Sequence, residues 1–280
     1  MTNPPQQIRL NGDQGISQEQ LTEWADEGSP DVSGRQDGSS SAVIRWEIAR
    51  LIFEHNSQTT VSEAGYTIPG IPRGRERQAL QQLDETVREM KPRGEVRNIN
   101  VQDRRGHSLV WHAAYNGRVD AIRALANLRA NVNTPNNNGA TPVYVAAENG
   151  HVDAIRALAQ LDADVNTPDN YGATPVFVAA ENGHVDAIRA LADLRANVNT
   201  PLNNGAMPVY IAAQNGHVDA IRALADLGAD VNTPYDGYTP VYAAAKYGHV
   251  DAIRALAQLG ANVNTPDNDG QSPHDEAVRN

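Results

Sequence analysis

The chain has 280 residues, no cysteine and a formal net charge of −11, with a sequence pI near 5.1. The missing cysteines exclude disulfides, thiolate metal centres and a cysteine nucleophile, and the acidic balance argues against duplex nucleic acid as a main partner. No apolar run approaches the ~18 residues of a membrane span, and the opening MTNPPQQIRLNGDQG lacks the charged-then-apolar order of a secretory signal, so the expected location is the cytoplasm, without membrane insertion.

Residues 1–40 are rich in Gln, Ser, Gly, Pro and acid and show no sustained apolar period, which predicts a mostly disordered segment with a short helix around 18–26. The stretch 41–56, SAVIRWEIARLIFEHN, predicts a strongly amphipathic helix carrying Trp46 and Phe53. A Gly/Pro loop then leads to a second helix at about 75–91, with Leu80, Leu83, Val87 and Met90 in a narrower stripe. Residues 41–98 therefore read as a helical region that caps the remainder of the chain; a partner-binding or targeting role for Trp46 and Phe53 is the competing reading. An enzymatic activity in these first hundred residues would have a single histidine, His55, to work with.

From residue 99 to 280 the chain repeats itself. Glycines open successive units at Gly106, Gly139, Gly172, Gly205, Gly237 and Gly270, spaced 33, 33, 33, 32 and 33 residues apart. Self-similarity at this length means a solenoid, because one small helical unit cannot bury its apolar face alone. Within a unit, Thr141 before Pro142 predicts a capped first helix through Val143, Val145, Ala146 and Ala147. Asn149 and Gly150 end it, and a second helix from about Val152 places Ile155, Leu158 and Leu161 on one face. Asp153 and Arg156, three apart on that helix, are expected to pair, as are Asp186 with Arg189, Asp219 with Arg222 and Asp251 with Arg254.

The G-x-T-P opening, the A-A pair, the N-G-H turn and the A-D-V-N close of residues 136–168, NNNGATPVYVAAENGHVDAIRALAQLDADVNTP, resemble an ankyrin repeat. The resemblance covers about 101–280, five near-full units and a truncated sixth. It implies an all-α, ankyrin-type helical solenoid with short β-hairpin-like loop tips. It also implies a protein–protein interaction scaffold, neither an enzyme nor a cofactor or metal binder, monomeric by itself, that grips another protein on its concave face. The surface used in the family, loop tips and the exposed ends of first helices, maps onto Arg104, Arg105, His107 and Tyr115 in the first unit and Tyr171 in the third. In the fifth it maps onto Tyr235, Tyr238, Lys246 and Tyr247.

Departures from the family pattern sharpen this map. The His of T-P-L-H is replaced by Trp111, Tyr144, Phe177, Tyr210 and Tyr242, while Ala157 and Ala159 stand on the second helix where larger aliphatics are common. This volume exchange makes the aromatic column framework. Gly228 and Gly260 close the second helix as the family does, whereas Arg129, Asp162 and Arg195 are expected to be held left-handed at a cost of ~1–2 kcal/mol. His151, His184, His217 and His249 lie one per unit, too far apart for one ion, and read as turn residues. The fifth unit opens with TPYDGYTP, one residue short, and four of the nine tyrosines fall in 235–247, which marks it as the contact region. Finally, of 23 basic residues only Lys91 and Lys246 are lysine. Avoidance of ubiquitin attachment is one explanation, and it carries an alternative function: an effector delivered into a eukaryotic host cell, acting on a host protein in the host cytoplasm.

Overall fold

The computed structural model describes residues 99–100, 102–127 and 129–279, together with Gln78, Gln82 and Thr86. The segment 1–40, the helix expected at 41–56 and most of the one expected at 75–91 lie outside the described residues, as does His55. Among the described residues no helix is long and apolar enough to cross a membrane. The chain divides into two compact units, Met1–Ala113 with Arg118–Asn136 and Ala114–Gly117 with Asn137–Asn280.

In the first unit, Gln102 and Ser108 form an isolated antiparallel bridge around a tight turn. The Ser108 hydroxyl accepts the Trp111 N–H at 3.1 Å, so serine does here what threonine does elsewhere, capping α1 (Leu109–Tyr115). Helix α2 (Val119–Asn127) buries Ala121, Ile122, Ala124 and Leu125. It ends with Arg129 at φ 62°. The Arg129 N–H reaches Ala126 O at 2.8 Å and the Ala130 N–H reaches Leu125 O at 3.0 Å, the paired bonds of a Schellman ending. Upstream, Gln78, Gln82 and Thr86 are helical. The Gln82 amide oxygen accepts the Ala121 N–H at 3.3 Å and the buried Thr86 hydroxyl accepts Arg118 Nη1 at 3.2 Å, so these two residues contact the start of α2.

The second unit alternates seven-residue and nine-residue helices: α3 (Pro142–Glu148), α4 (Val152–Gln160), α5 (Pro175–Glu181), α6 (Val185–Asp193), α7 (Pro208–Gln214), α8 (Val218–Asp226), α9 (Pro240–Lys246), α10 (Val250–Gln258) and α11 (Pro273–Arg279). Helices this short are marginal alone, so their stability must come from caps and stacking. Thr141, Thr174 and Thr239 accept the N–H of Tyr144, Phe177 and Tyr242, each at 3.2 Å, and Pro follows in every case. Met207 holds the same place before α7 without a side-chain cap bond. First helices stack on first helices and second on second. Between them lie Ile155, Leu158, Ile188, Leu191, Ile221, Leu224 and Leu256, all fully buried, and Ala pairs such as Ala146–Ala147 that leave room for the neighbour. The aromatic column of Tyr144, Phe177, Tyr210 and Tyr242 is buried too, the framework role its placement implied.

The turn between paired helices uses glycine twice over. Gly150 has φ 69° and Gly183 φ 71°, a region favouring residues without Cβ. A Cβ on either would also come within 2.8 Å and 2.7 Å of the Nδ1 of the next unit's histidine, His184 and His217. Those rings are fixed from their other side: Nε2 of His151, His184 and His217 sits 3.0 Å from the carbonyl oxygens of Tyr115, Glu148 and Glu181. The recurring histidines are thus inter-repeat rivets in the turns.

Asp162 and Arg195 are left-handed as expected, at φ 62° and 66°, matching Gly228 at 90° and Gly260 at 88°. The expected pairs three apart on the second helices fail in three of four units. Arg156 reaches Asp193 at 3.2 Å and Arg189 reaches Asp226 at 3.5 Å, both in the next unit, and Arg222 donates to Gln258 at 3.0 Å. Arg254 keeps Asp251 at 3.1 Å. An arginine is long enough to cross to the stacked neighbour, where the repeat supplies an acceptor. The last helix is polar, with His274 and Asp275 exposed, and Ser272 and Asp275 form a reciprocal capping box at its start.

Candidate partner-binding surface

Within the compact unit of Ala114–Gly117 and Asn137–Asn280, the first helices of successive repeats end in a row of Tyr115, Glu148, Glu181, Gln214 and Lys246, with loop tips ahead of them. Most asparagines of those tips are committed to the stack. The Asn170 side chain donates to Asn137 O at 3.2 Å, Asn203 to Asn170 O at 3.1 Å and Asn268 to Asp236 O at 3.2 Å. The middle of the row is acidic. Burial, then the charges of Glu181 and Asp169, push the Glu148 carboxyl up; burial and Asp169 do the same to Glu181. Tyr144 donates to Asp169 at 3.2 Å, and burial and these carboxylates hold its hydroxyl well above the usual phenol range.

The fifth loop is built differently. Tyr235 and Tyr238 exchange two backbone bonds of 2.9 Å. Asp236 at φ 50° and Gly237 at φ 82° lie between them, the two left-handed residues of a type I′ hairpin. The missing residue has converted a three-residue loop into a two-residue one. Its tyrosines fold back onto the aromatic column. The Tyr235 ring meets Tyr210 edge-on at 5.1 Å and its hydroxyl accepts Asn204 Nδ2 at 3.1 Å, while Tyr238 tilts against Tyr242 at 4.8 Å. Lys246 Nζ stands 5.1 Å from the Tyr238 ring centre, a cation–π contact. Burial, then Tyr247, Tyr235, Tyr238 and Asp236, push the Tyr210 hydroxyl up to about 12. Tyr235 and Tyr238 are therefore half-buried framework extensions that still present an edge, whereas Tyr247 is 54% exposed at the end of α9. Tyr171 at 70% and Tyr115 at 46% are exposed as well.

In the first unit Arg104 and Arg105 are exposed on the loop. His107 is not a loop-tip group: it turns inward, its ring stacked on Trp111 at 3.7 Å and 14°, with Nδ1 3.0 Å from Asp103 Oδ2. His112 Nε2 lies 3.4 Å from the same oxygen. Asp103 Oδ1 meanwhile accepts the N–H groups of Arg105 and His107 at 2.8 and 2.9 Å. Burial raises the Asp103 carboxyl pKa, but those amides and His107 outweigh it and leave it below the usual range. Asp103 and His112 are not among the residues the sequence singled out; the signal was His112 in a column that holds the apolar Val145, Val178, Ile211 and Ala243 in the next four units.

Comparison with known proteins decides the family. A family described as ankyrin repeats in three copies matches residues 78–169 and 168–235, and one described as ankyrin repeat matches 236–268. The chain belongs to the ankyrin repeat family. The ankyrin match begins at residue 78, inside the segment expected to cap the array. Among solved structures the chain is similar to the human ASB11 ankyrin repeat domain, with 28% identity and a TM-score of 0.60 over 64% of this chain and 81% of that one. No curated protein matches. Ankyrin repeats are a protein–protein interaction module, and helix pairs without named strands, among the described residues, agree with that fold.

Proposed function

We propose that this ankyrin array binds another protein across its loop tips and first-helix ends, with the tightest contact at the fifth unit. The observation that supports this reading is the grouping there of Tyr235, Tyr238, Tyr247 and Lys246, with Tyr247 more than half exposed. Tyrosine offers a large contact area with few rotatable bonds, and a lysine already held over a ring loses little freedom on binding. The acidic stretch of Glu148, Glu181 and Asp169 suits basic groups on the partner, and Tyr171 supplies an aromatic contact beside it. Arg104 and Arg105 form a separate patch in the first unit.

The test begins with capture of a partner by the full chain and identification by mass spectrometry, and then measures affinity for variants. Tyr247→Ala, Tyr235→Ala and Tyr238→Ala should weaken binding, Tyr247→Ala by ~2 kcal/mol, roughly thirtyfold. Arg254→Ala, on a second helix, is the control. Three tyrosine variants all within about twofold of the parent, ~0.4 kcal/mol, would place the site elsewhere.

A further inference from the structure

The loop of the first unit carries chemistry that its copies lack. An aspartate heads the loop in the third and sixth units as well: Asp169 accepts the N–H groups of Tyr171 and Ala173 at 2.9 and 2.8 Å, and Asp267 those of Asp269 and Gln271. Asp103 does the same with its Oδ1. What differs is the company of its Oδ2. The position of His107 is Ala in the next three units (Ala140, Ala173 and Ala206), and the position of His112 is Val145, Val178 and Ile211. The first unit has placed imidazoles at both, and both converge on Oδ2.

We infer that Asp103, His107 and His112 form a three-ligand site for a divalent transition ion of the zinc class. One ligand atom from each lies within 4.8 Å of the others, and Asp103 Oδ2 is 3.0 Å from His107 Nδ1 and 3.4 Å from His112 Nε2. Ligands held ~2.0–2.2 Å from one zinc ion at tetrahedral angles stand about 3.3 Å apart, so the trio closes on an ion with small adjustments of its side chains. Two imidazoles and a carboxylate suit zinc and its neighbours and are a poor set for calcium or magnesium, which take oxygen ligands.

The site is also braced. Two backbone amides aim the Asp103 carboxylate, Trp111 stacks flat on His107 at 3.7 Å, and the same indole meets His112 edge-on at 5.6 Å. Such support around ligands is how a protein fixes metal geometry. The three side chains are between 12% and 15% exposed, which leaves a side open to solvent. A fourth ligand would come from water or from a bound protein.

The experiment titrates Zn2+ into the full chain by calorimetry and Co2+ by visible absorption, using the parent, His107→Ala and His112→Val. Both substitutions install the residue that neighbouring units carry at the same place, so the fold tolerates them; circular dichroism checks this. The parent should bind one ion, with cobalt bands of a low-coordinate nitrogen–oxygen site, and each variant should bind at least about tenfold more weakly. His274→Ala, an exposed histidine on α11, should bind as the parent does. A parent that takes up no zinc, or two variants that bind as well as the parent, would overturn the site and leave Asp103 as a hydrogen-bonded carboxylate between two imidazoles.

Discussion

In the third unit the loop from Asp169 to Ala173 is closed by a 2.9 Å bond between those residues, with Gly172 left-handed at φ 87°. In the fifth, Tyr235 and Tyr238 close a loop one residue shorter, and the left-handed pair is Asp236–Gly237. The third loop sends an asparagine back to the unit before it and receives one from the unit after. The fifth sends tyrosine rings onto the column of the fourth and fifth units. Both solve the same closure problem, but the third loop spends its asparagine on stacking and leaves Tyr171 exposed, whereas the fifth packs two tyrosines against the aromatic column. A copied array therefore differs along its length in how much of its exposed chemistry remains for a partner.

The sharpest way to break that comparison is a matched pair of glycines. Gly183 and Gly248 share a left-handed φ, 71° and 74°, but a Cβ on Gly183 would strike the His217 ring at 2.7 Å, while one on Gly248 would meet nothing within 4 Å. Gly248→Ala should cost ~1–2 kcal/mol from the backbone, and Gly183→Ala a further ~1–3 kcal/mol from overpacking. Urea unfolding of the full chain reads both, and equal losses would show that the rivet contributes nothing.

A smaller effect comes from the second-helix endings. Arg129→Gly, Asp162→Gly and Arg195→Gly each relieve a left-handed residue of ~1 kcal/mol or more, offset in part by the entropy glycine loses on folding, for a net gain of up to ~1 kcal/mol. A triple variant with a lower urea midpoint than the parent would refute this.

Smallest is the acidic row. Burial and neighbouring charges raise the Glu148 and Glu181 carboxyls above their unfolded values. The folded chain therefore holds more protons across that window, and stability falls as pH rises through it. Glu148→Gln and Glu181→Gln should stabilise at pH 7 by up to ~0.5 kcal/mol, since both groups are only partly withdrawn from solvent and so are screened, with no gain below about pH 4, where the unfolded carboxyl is protonated too. Thermal melts at the two pH values check it, and a gain that persists in acid would point to another cause.

The helix pairs, threonine caps, left-handed endings and buried aromatic column were legible in the sequence because each depends on local chemistry copied at a fixed spacing. The Asp153–Arg156 pair was misread because spacing along one helix hides the acceptor that stacking brings from 37 residues away. Tyr235 and Tyr238 were found as unusual residues, yet their packing on Tyr210 and Tyr242 comes from a change of turn type that a one-residue gap only hints at. The histidine pair beside Asp103 was obscured because His107 and His112 sit on different elements, and their convergence needs the turn to be folded.

The asparagine and histidine contacts have one further consequence. Asn170 reaches back 33 residues to Asn137, and Asn203 reaches back 33 to Asn170; the ring of His184 sits on Gly150, and that of His217 on Gly183. Excise 170–202, and Asn203 arrives at Asn137 while His217 arrives at Gly150, each meeting the partner its twin had. The joint leaves no seam. A chain built this way can lose or gain a whole unit of 33 residues and still present the same partner at each of these turn contacts.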